Sequence, residues 1–183
     1  RRLGAKGRAS GIDISEPMIA VARASAERDR LPAGFIAADA QTHAFEPASV
    51  DMIVSRFGVM FFDDAVGAFG NLRCAAADGA VLQCIVWRSA EENPFMTTAE
   101  RAAAPLLPDL PPRQPNAPGQ FAFADARRVQ SILEQSGWTG IEIQPTDVEC
   151  TLPETELNHY VTRLGLVGMV LREADEGTRR KVA

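Results

Sequence analysis

Three polar segments at the ends of short apolar stretches are the residues of this sequence best placed to bind a ligand. They are Asp13, Asp39 and the run Ser55-Arg56-Phe57. If the apolar stretches are parallel strands, these ends lie along the edge of the sheet where open α/β proteins bind ligands. A carboxylate there can accept hydrogen bonds from two ribose hydroxyls, as expected for Asp13. Asp39, one strand further out, is placed to accept a hydrogen bond from an adenine amino group.

The same two aspartates also fit a structural interpretation, as helix N-caps or solvated turn residues, because aspartate is common in both places. Three aromatic residues, Phe57, Phe61 and Trp87, offer faces that attract a cationic ligand. Packing in the core is the simpler interpretation for Phe61 and Trp87.

No catalytic residue and no metal site are predicted. The two histidines, His43 and His159, are candidates for a general base, but each stands alone in the sequence and fits a surface residue better. The three cysteines are widely spaced, and no group of Cys, His and carboxylates has metal-ligand spacing. We expect Cys74, Cys84 and Cys150 to be reduced thiols in the core.

Strand-like and helix-like segments alternate along the chain, a pattern typical of an α/β fold with a parallel sheet. A near-continuous apolar run after the turn Asp78-Gly79 predicts a strand buried on both faces. Strands are predicted at 8–14, 34–38, 50–55 and 80–87, with helices beginning at Ser15 and Asp63 and a further helix at 94–104.

The C-terminal half adds a proline-rich loop, a hairpin and more helix. Six prolines between 105 and 118 exclude regular structure there, and we expect residues 105–124 to form a cover loop. A helix capped by Asp125 follows. The segments 140–144 and 147–151 predict two strands, which must be antiparallel because the connection is short. The helical period of residues 154–171 predicts a final lid or packing helix.

Composition narrows the classes of function. The chain has 183 residues and a net charge of −5, which disfavours nucleic acid as a partner. No apolar run reaches the roughly 18 residues that span a bilayer, and the first residues do not resemble a signal peptide. We therefore expect a cytoplasmic protein that does not bind membranes, a description that is compatible with a homodimer.

Several motifs, in this order, resemble those of class I S-adenosylmethionine-dependent methyltransferases. Gly11-Ile12-Asp13-Ile14-Ser15-Glu16-Pro17-Met18 is similar to the family's second motif, and Phe35-Ile36-Ala37-Ala38-Asp39-Ala40 to its adenine-contacting segment. The run from Val50 to Phe62 is similar to the fourth-strand motif and the loop after it. The resemblance covers roughly residues 3–151 and implies a Rossmann-like, doubly wound, mostly parallel sheet with a C-terminal antiparallel hairpin.

The resemblance implies S-adenosylmethionine as cofactor, held by residues from three strand ends. The family's first motif, a strand with a Gly-x-Gly loop, has no counterpart here, because only residues 1–7 precede the second motif. We expect a gap at the centre of the sheet and a native segment upstream of Arg1. The implied domains are a core lacking its first strand (1–151) and a helical segment (152–183). The implied cofactor-binding residues are Asp13, Ile14, Met18, Asp39, Ala40, Ser55, Arg56 and Phe57.

The implied reaction is methyl transfer to a small-molecule acceptor by in-line displacement, which needs alignment more than a strong acid or base. Two alternatives stay open. A nicotinamide-dependent oxidoreductase also places an acid on a ribose, although the predicted hairpin counts against it. The chain could also be a cofactor-free binding or dimerisation module of the same fold.

Overall fold

The structure is a computed structural model that describes residues 3–4, 7–107, 110, 112–114, 116–163 and 165–182. Short 3-10 turns lie at Val59–Phe61 and Ala104–Leu106. The strands and α-helices of these residues are β1 (Ala9–Asp13), α1 (Glu16–Arg28), β2 (Ala33–Ala37), β3 (Val50–Arg56), α2 (Ala65–Ala75), β4 (Ala76–Ile85), α3 (Pro94–Ala103), α4 (Ala126–Gln135), α5 (Glu154–Arg163), α6 (Gly165–Glu173) and α7 (Glu176–Val182).

The four strands form two parallel pairs. β1 pairs with β2 so that Asp13 lies opposite Ala37, and β3 pairs with β4 so that Arg56 lies opposite Ile85. The predicted α/β fold with parallel strands is confirmed. Among the described strands β1 and β3 are not hydrogen-bonded to each other, so there are two sheets instead of one.

The main core lies on one face of the β3–β4 pair. Phe69 of α2 and Met60, in the turn after β3, are its most buried large side chains. The indole N–H of Trp138 donates to the Phe69 carbonyl over 3.1 Å, which ties the end of α4 to α2. The apolar spacing of α2 faces this core, as its sequence predicts.

β4 differs from its prediction in two ways. It begins at Ala76, so Asp78-Gly79 is not a turn before the strand but part of it. Gly79 has φ +78°, and the register with β3 shifts beside it, as in a β-bulge. The strand is also buried on only one face, because no described residue covers the other. Exposed on that open face of the β3–β4 pair are Met52, Val54, Val81 and Ile85.

The structure does not show the predicted C-terminal antiparallel hairpin. Residues 141–153 are described and contain no strand. Ile141 packs against the edge of the main core, but Ile143 and Val148 are exposed, so the segment has no continuous packed face. Two short strands without a packed face are only marginally stable, which explains why the alternation of residue types here does not produce a hairpin.

The helix predicted over 154–171 is divided into α5 and α6. The division comes at Gly165, whose φ of +64° is not helical. Tyr160 of α5 packs against Phe95 of α3, with ring centroids 5.1 Å apart. Of the other residues expected on a packing face, Leu157 and Met169 are exposed, and Leu164 lies outside the described residues. In the part of the chain that the structure describes, no helix is long and apolar enough to cross a membrane.

The prediction that all three cysteines are core residues is wrong for two of them. All three are free thiols, but Cys74 and Cys150 are exposed, since each lies at the solvent side of its segment. Cys84 faces the core of the β3–β4 pair, and burial raises its pKa to about 11, although a backbone hydrogen bond to Ser55 acts in the opposite direction.

This difference in burial predicts selective alkylation. At pH 8, iodoacetamide should label Cys74 and Cys150 and leave Cys84 unmodified. A thiol with a pKa of about 11 has roughly a hundredfold less thiolate than one with an ordinary pKa. Peptide mass spectrometry of the native protein measures the three rates, and a Cys84 rate equal to that of Cys74 would contradict the burial described here.

The N-cap of α4 gives a second prediction. The Asp125 carboxylate accepts hydrogen bonds from the backbone N–H groups of Arg127 (2.9 Å) and Arg128 (3.4 Å). Asp125→Ala should lower the free energy of unfolding by about 1 kcal/mol, whereas Asp125→Asn retains a capping oxygen and should stay near the parent. Urea denaturation compares the three proteins. Equal losses for both variants would mean that the charge, rather than the cap, stabilises the helix.

Candidate functional site

Asp13 ends β1 with its carboxylate in solvent. Its Oδ1 accepts a hydrogen bond from the Ser15 backbone N–H over 2.8 Å, which orders the turn into α1. Oδ2 receives no hydrogen bond from any residue that the structure describes. The side chains of Ile14 and Met18 flank this turn and are exposed, 75% and 62% respectively. The turn therefore presents one carboxylate oxygen beside apolar surface.

The turn after β2 places a second carboxylate at the same end of the first sheet. Asp39 is half-buried, and its Oδ1 accepts from the Gln41 backbone N–H over 2.9 Å. The Ala38 N–H donates to the Asp13 carbonyl over 3.0 Å, which continues the β1–β2 pairing to the strand ends. The two aspartates thus follow adjacent paired strands, as the sequence predicts. The local hydrogen bond that each makes is the turn interaction of the structural interpretation, and it uses one carboxylate oxygen of each residue.

Asn71 of α2 fixes this turn, and sequence reasoning did not find it. Its side-chain N–H group donates to the carbonyls of Ala40 (3.0 Å), Gln41 (3.3 Å) and His43 (2.9 Å). In the same place the Gln41 side-chain oxygen accepts from the Asp64 backbone N–H over 2.9 Å. These contacts join residues 23 to 31 positions apart, so no local sequence pattern predicts them.

The third segment, at the end of β3, lies in the second sheet. Ser55 is half-buried and Arg56 is exposed. Phe57 follows with φ +61°, a left-handed conformation that costs a bulky residue about 1–3 kcal/mol. Its backbone N–H donates to the Ile85 carbonyl over 2.9 Å, and its ring stacks on Trp87 with centroids 4.5 Å apart and planes 7° apart. Strain at such a position is typical of functional sites.

A cavity of about 340 Å³ opens beside the Phe57–Trp87 pair. Its walls come from the segment after β3, from α3, α5 and α6, and from the proline-rich segment. The lining residues are Phe57, Met60, Phe61, Trp87, Met96, Ala99, Gln120, Tyr160, Gly165, Leu166 and Val167.

Two hydrogen bonds that Met60 accepts hold the cavity wall to the core. Met60 accepts twice, at its carbonyl from the Gly119 N–H over 3.0 Å and at its sulfur from the Trp87 N–H over 3.5 Å. The proline-rich segment is thereby attached next to the end of β3. A second concavity of about 290 Å³ lies at the other end of the first sheet, around Ala33 at the start of β2, away from Asp13 and Asp39.

The histidines do not join the cavity. His43 packs its ring against Phe45, and His159 is exposed on α5. Among the described residues, no group of three or more His, Cys, Asp or Glu is arranged to hold a metal ion. Tyr160 is the titratable residue that lines the cavity, and burial raises its pKa, with the nearby Cys150 acting in the same direction.

Comparison with known proteins identifies related sequences and folds. Residues 1–79 match the family model described as a methyltransferase domain. The chain is 38% identical over 71 residues to aklanonic acid methyltransferase DauC of Streptomyces sp. strain C5. That alignment covers 38% of this chain and 32% of the relative, so the matched segment spans about a third of the relative's length.

Solved structures share the fold at low sequence identity. A methyltransferase from Aquifex aeolicus, described as dependent on S-adenosylmethionine, aligns with a TM-score of 0.52 and 19% identity, over 73% of this chain and 60% of that one. An N-methyltransferase of Haemonchus contortus, solved with phosphomonomethylethanolamine and S-adenosylhomocysteine, aligns with a TM-score of 0.51 and 16% identity. It covers 94% of this chain and 37% of the other.

The carboxylate and apolar groups at the strand ends of the first sheet fit S-adenosylmethionine. Two hydroxyls of a ribose need carboxylate oxygens that are free of other donors, and the exposed Asp13 Oδ2 meets this requirement among the described residues. An adenine ring needs apolar surface, which the exposed side chains of Ile14 and Met18 supply.

This fit yields a prediction for Asp13. Asp13→Ala should weaken the binding of S-adenosylhomocysteine by about tenfold or more, because hydrogen bonds to a carboxylate are lost. Asp13→Asn keeps one acceptor oxygen and should weaken it less. Isothermal titration calorimetry measures all three affinities.

The control is Asp51→Ala, which removes an exposed carboxylate at the start of β3, away from the strand end. It should bind like the parent. If Asp13→Ala and Asp51→Ala have the same affinity, Asp13 does not contact the ligand.

Proposed function

We propose that the chain is a class I S-adenosylmethionine-dependent methyltransferase and that it transfers the methyl group of this cofactor to a small-molecule acceptor. The match of residues 1–79 to a methyltransferase domain supports the proposal. The cavity beside Phe57 is the observation that carries this proposal. It lies at the carboxyl end of β3, where α/β proteins bind ligands, and its volume of about 340 Å³ suits a small molecule.

The cofactor, when bound, supplies a methyl group activated by a positively charged sulfur. The chain's own residues would bind the cofactor and orient it toward the acceptor. Asp13 would hold the ribose, Asp39 and Ala40 would border the adenine, and Ile14 and Met18 would cover it. Ser55, Arg56 and Phe57 would lie between the cofactor and the cavity. This assignment of the eight residues rests on their places at the ends of β1, β2 and β3, in the turns that follow, and, for Met18, in the first turn of α1.

The cavity contributes to methyl transfer mainly by aligning the reacting atoms and by excluding water. Its wall is mostly apolar and aromatic, and in-line displacement is favoured in a dry site where the reacting atoms are held in line. None of the described lining residues is an Asp, Glu or His. The acceptor therefore reacts through a group that is already nucleophilic or loses its proton to solvent.

A small acceptor is favoured over a macromolecule. The cavity is bounded by α3, α5, α6 and the proline-rich segment, which together leave room for one small molecule. The net charge of −5 disfavours nucleic acid. The name of the similar Streptomyces protein, a methyltransferase of aklanonic acid, is consistent with an organic molecule of this kind.

The proposed organisation follows from the same contacts. Residues 1–151 hold the cofactor, residues 105–124 cover the acceptor through the Gly119–Met60 hydrogen bond, and residues 152–183 close the cavity with Tyr160. The hairpin that argued against an oxidoreductase is not observed. The match of residues 1–79 to a methyltransferase domain now supports the choice instead.

The test combines a binding measurement with a transfer measurement. In equilibrium dialysis the chain should bind S-adenosylhomocysteine and show no comparable affinity for NAD. With methyl-radiolabelled cofactor and an extract of small metabolites, label should enter the fraction that passes a small-pore filter.

Three outcomes are decisive for the proposal. Binding of NAD alone would favour the oxidoreductase, and binding of neither would favour a cofactor-free module. Label that appears only in nucleic acid or protein would contradict the small-molecule acceptor.

A further inference from the structure

The cavity is lined on one side by a stacked aromatic pair that also packs against the core. Phe57 keeps a left-handed backbone conformation that disfavours its own side chain, and the result is a ring parallel to that of Trp87. Both residues line the cavity. A glycine at position 57 would remove the strain, so the phenyl ring contributes something that the local backbone does not require.

The cavity wall carries no charge. The described lining residues include no Asp, Glu, Lys, Arg or His. The Tyr160 phenol is neutral near pH 7, as tyrosine ordinarily is, and burial raises its pKa further. Its hydroxyl group is already engaged, at 3.3 Å from the Phe95 carbonyl and 3.2 Å from the Met96 sulfur. A charged group would lose its hydration here and gain no partner.

Gln120 supplies a free polar group to this wall. Its side-chain amide forms no hydrogen bond with any described residue, although it is half-buried and lines the cavity. The neighbouring Gly119 N–H is bonded to the Met60 carbonyl, which holds the backbone of this segment in place. A primary amide both donates and accepts hydrogen bonds, so it can pair with a hydroxyl or a carbonyl group.

We propose that the cavity takes a flat, uncharged, conjugated ring system that lies against the Phe57–Trp87 pair, with Gln120 selecting molecules that carry a hydroxyl or carbonyl group on the ring. As a description of the acceptor this rests on the proposed function. As a description of a binding site it stands on the cavity itself, and the two can be tested separately.

Equilibrium dialysis of the full chain, without cofactor, tests the site with four probes. 2-Naphthol is flat, uncharged and hydroxylated, whereas decahydro-2-naphthol keeps the hydroxyl group but is not flat. Naphthalene-2-sulfonate is flat and charged, and naphthalene lacks the polar group. 2-Naphthol should bind at least about tenfold more tightly than the saturated alcohol or the sulfonate.

Two variants test the residues. Gln120→Leu should weaken 2-naphthol about five- to tenfold, as expected for one lost hydrogen bond, and should not weaken naphthalene. Gln114→Leu, a glutamine in the same segment that does not line the cavity, is the matched control and should bind both as the parent does. Phe57→Gly suits the positive φ but removes a ring that packs on the core, so its cooperative unfolding is checked first; the folded variant should bind either ring about tenfold less tightly.

The outcomes separate this inference from the proposed function. Equal affinities for 2-naphthol and the saturated alcohol, or unchanged binding by Phe57→Gly, would overturn the ring site even if S-adenosylhomocysteine binds. Equal effects of Gln120→Leu on 2-naphthol and naphthalene would overturn the role of Gln120. The predicted ranking supports the ring site, and if S-adenosylhomocysteine then fails to bind, the proposed function alone is lost.

Discussion

The buried side chain of Met60 and the two hydrogen bonds that this residue accepts hold the second half of the structure together. Its side chain is 1% exposed at the centre of the core, and it sits in the short turn that follows β3. Its carbonyl holds the proline-rich segment through Gly119, and its sulfur holds the segment after β4 through Trp87. Three stretches of chain, distant in sequence, therefore meet at one residue whose burial fixes them together.

The cavity exists because these three stretches are held at the edge of the core rather than inside it. The rings of Phe57 and Trp87 stack on each other, pack partly on the core and also line the cavity. Burial of apolar surface offsets the backbone strain at Phe57. The same interactions that build the core thus present a flat wall to a ligand.

Much of the fold could be predicted where local pattern and tertiary contacts agree. The spacing of apolar residues gives β1, β2, β3 and α2 within a residue or two, because each has one side to bury. The prediction failed where a segment lacks a partner: residues 141–153 alternate in type but pair with no described strand, and no described residue covers the open face of β4. The break at Gly165 depends on the left-handed conformation of one residue, which the helical period of 154–171 does not predict.

The candidate site shows the same division. The positions of Asp13, Asp39 and Phe57 at strand ends were predictable, because an apolar run that ends in a polar residue indicates where a strand stops. The roles of Asn71 and Gln120 could not be predicted. Asn71 bonds to residues 28 or more positions away, and Gln120 faces a cavity made by separate helices. The backbone strain at Phe57 could not be predicted either, because nothing in the sequence indicates that this phenylalanine has a positive φ.

Two separate strand pairs imply two units that can open independently. β1 and β2 share no ladder hydrogen bond with β3 and β4, and they are covered by α1, in which Ile19 and Ala26 are the buried residues. With so little buried surface, the amide protons of the first pair should exchange with solvent faster than those of β3 and β4. The bonds from Asn71 to the turn after β2 are a bridge between the units. A ligand that touches Asp13 and Phe57 together would slow exchange in both units at once, so protection of the backbone would report occupancy of the whole site.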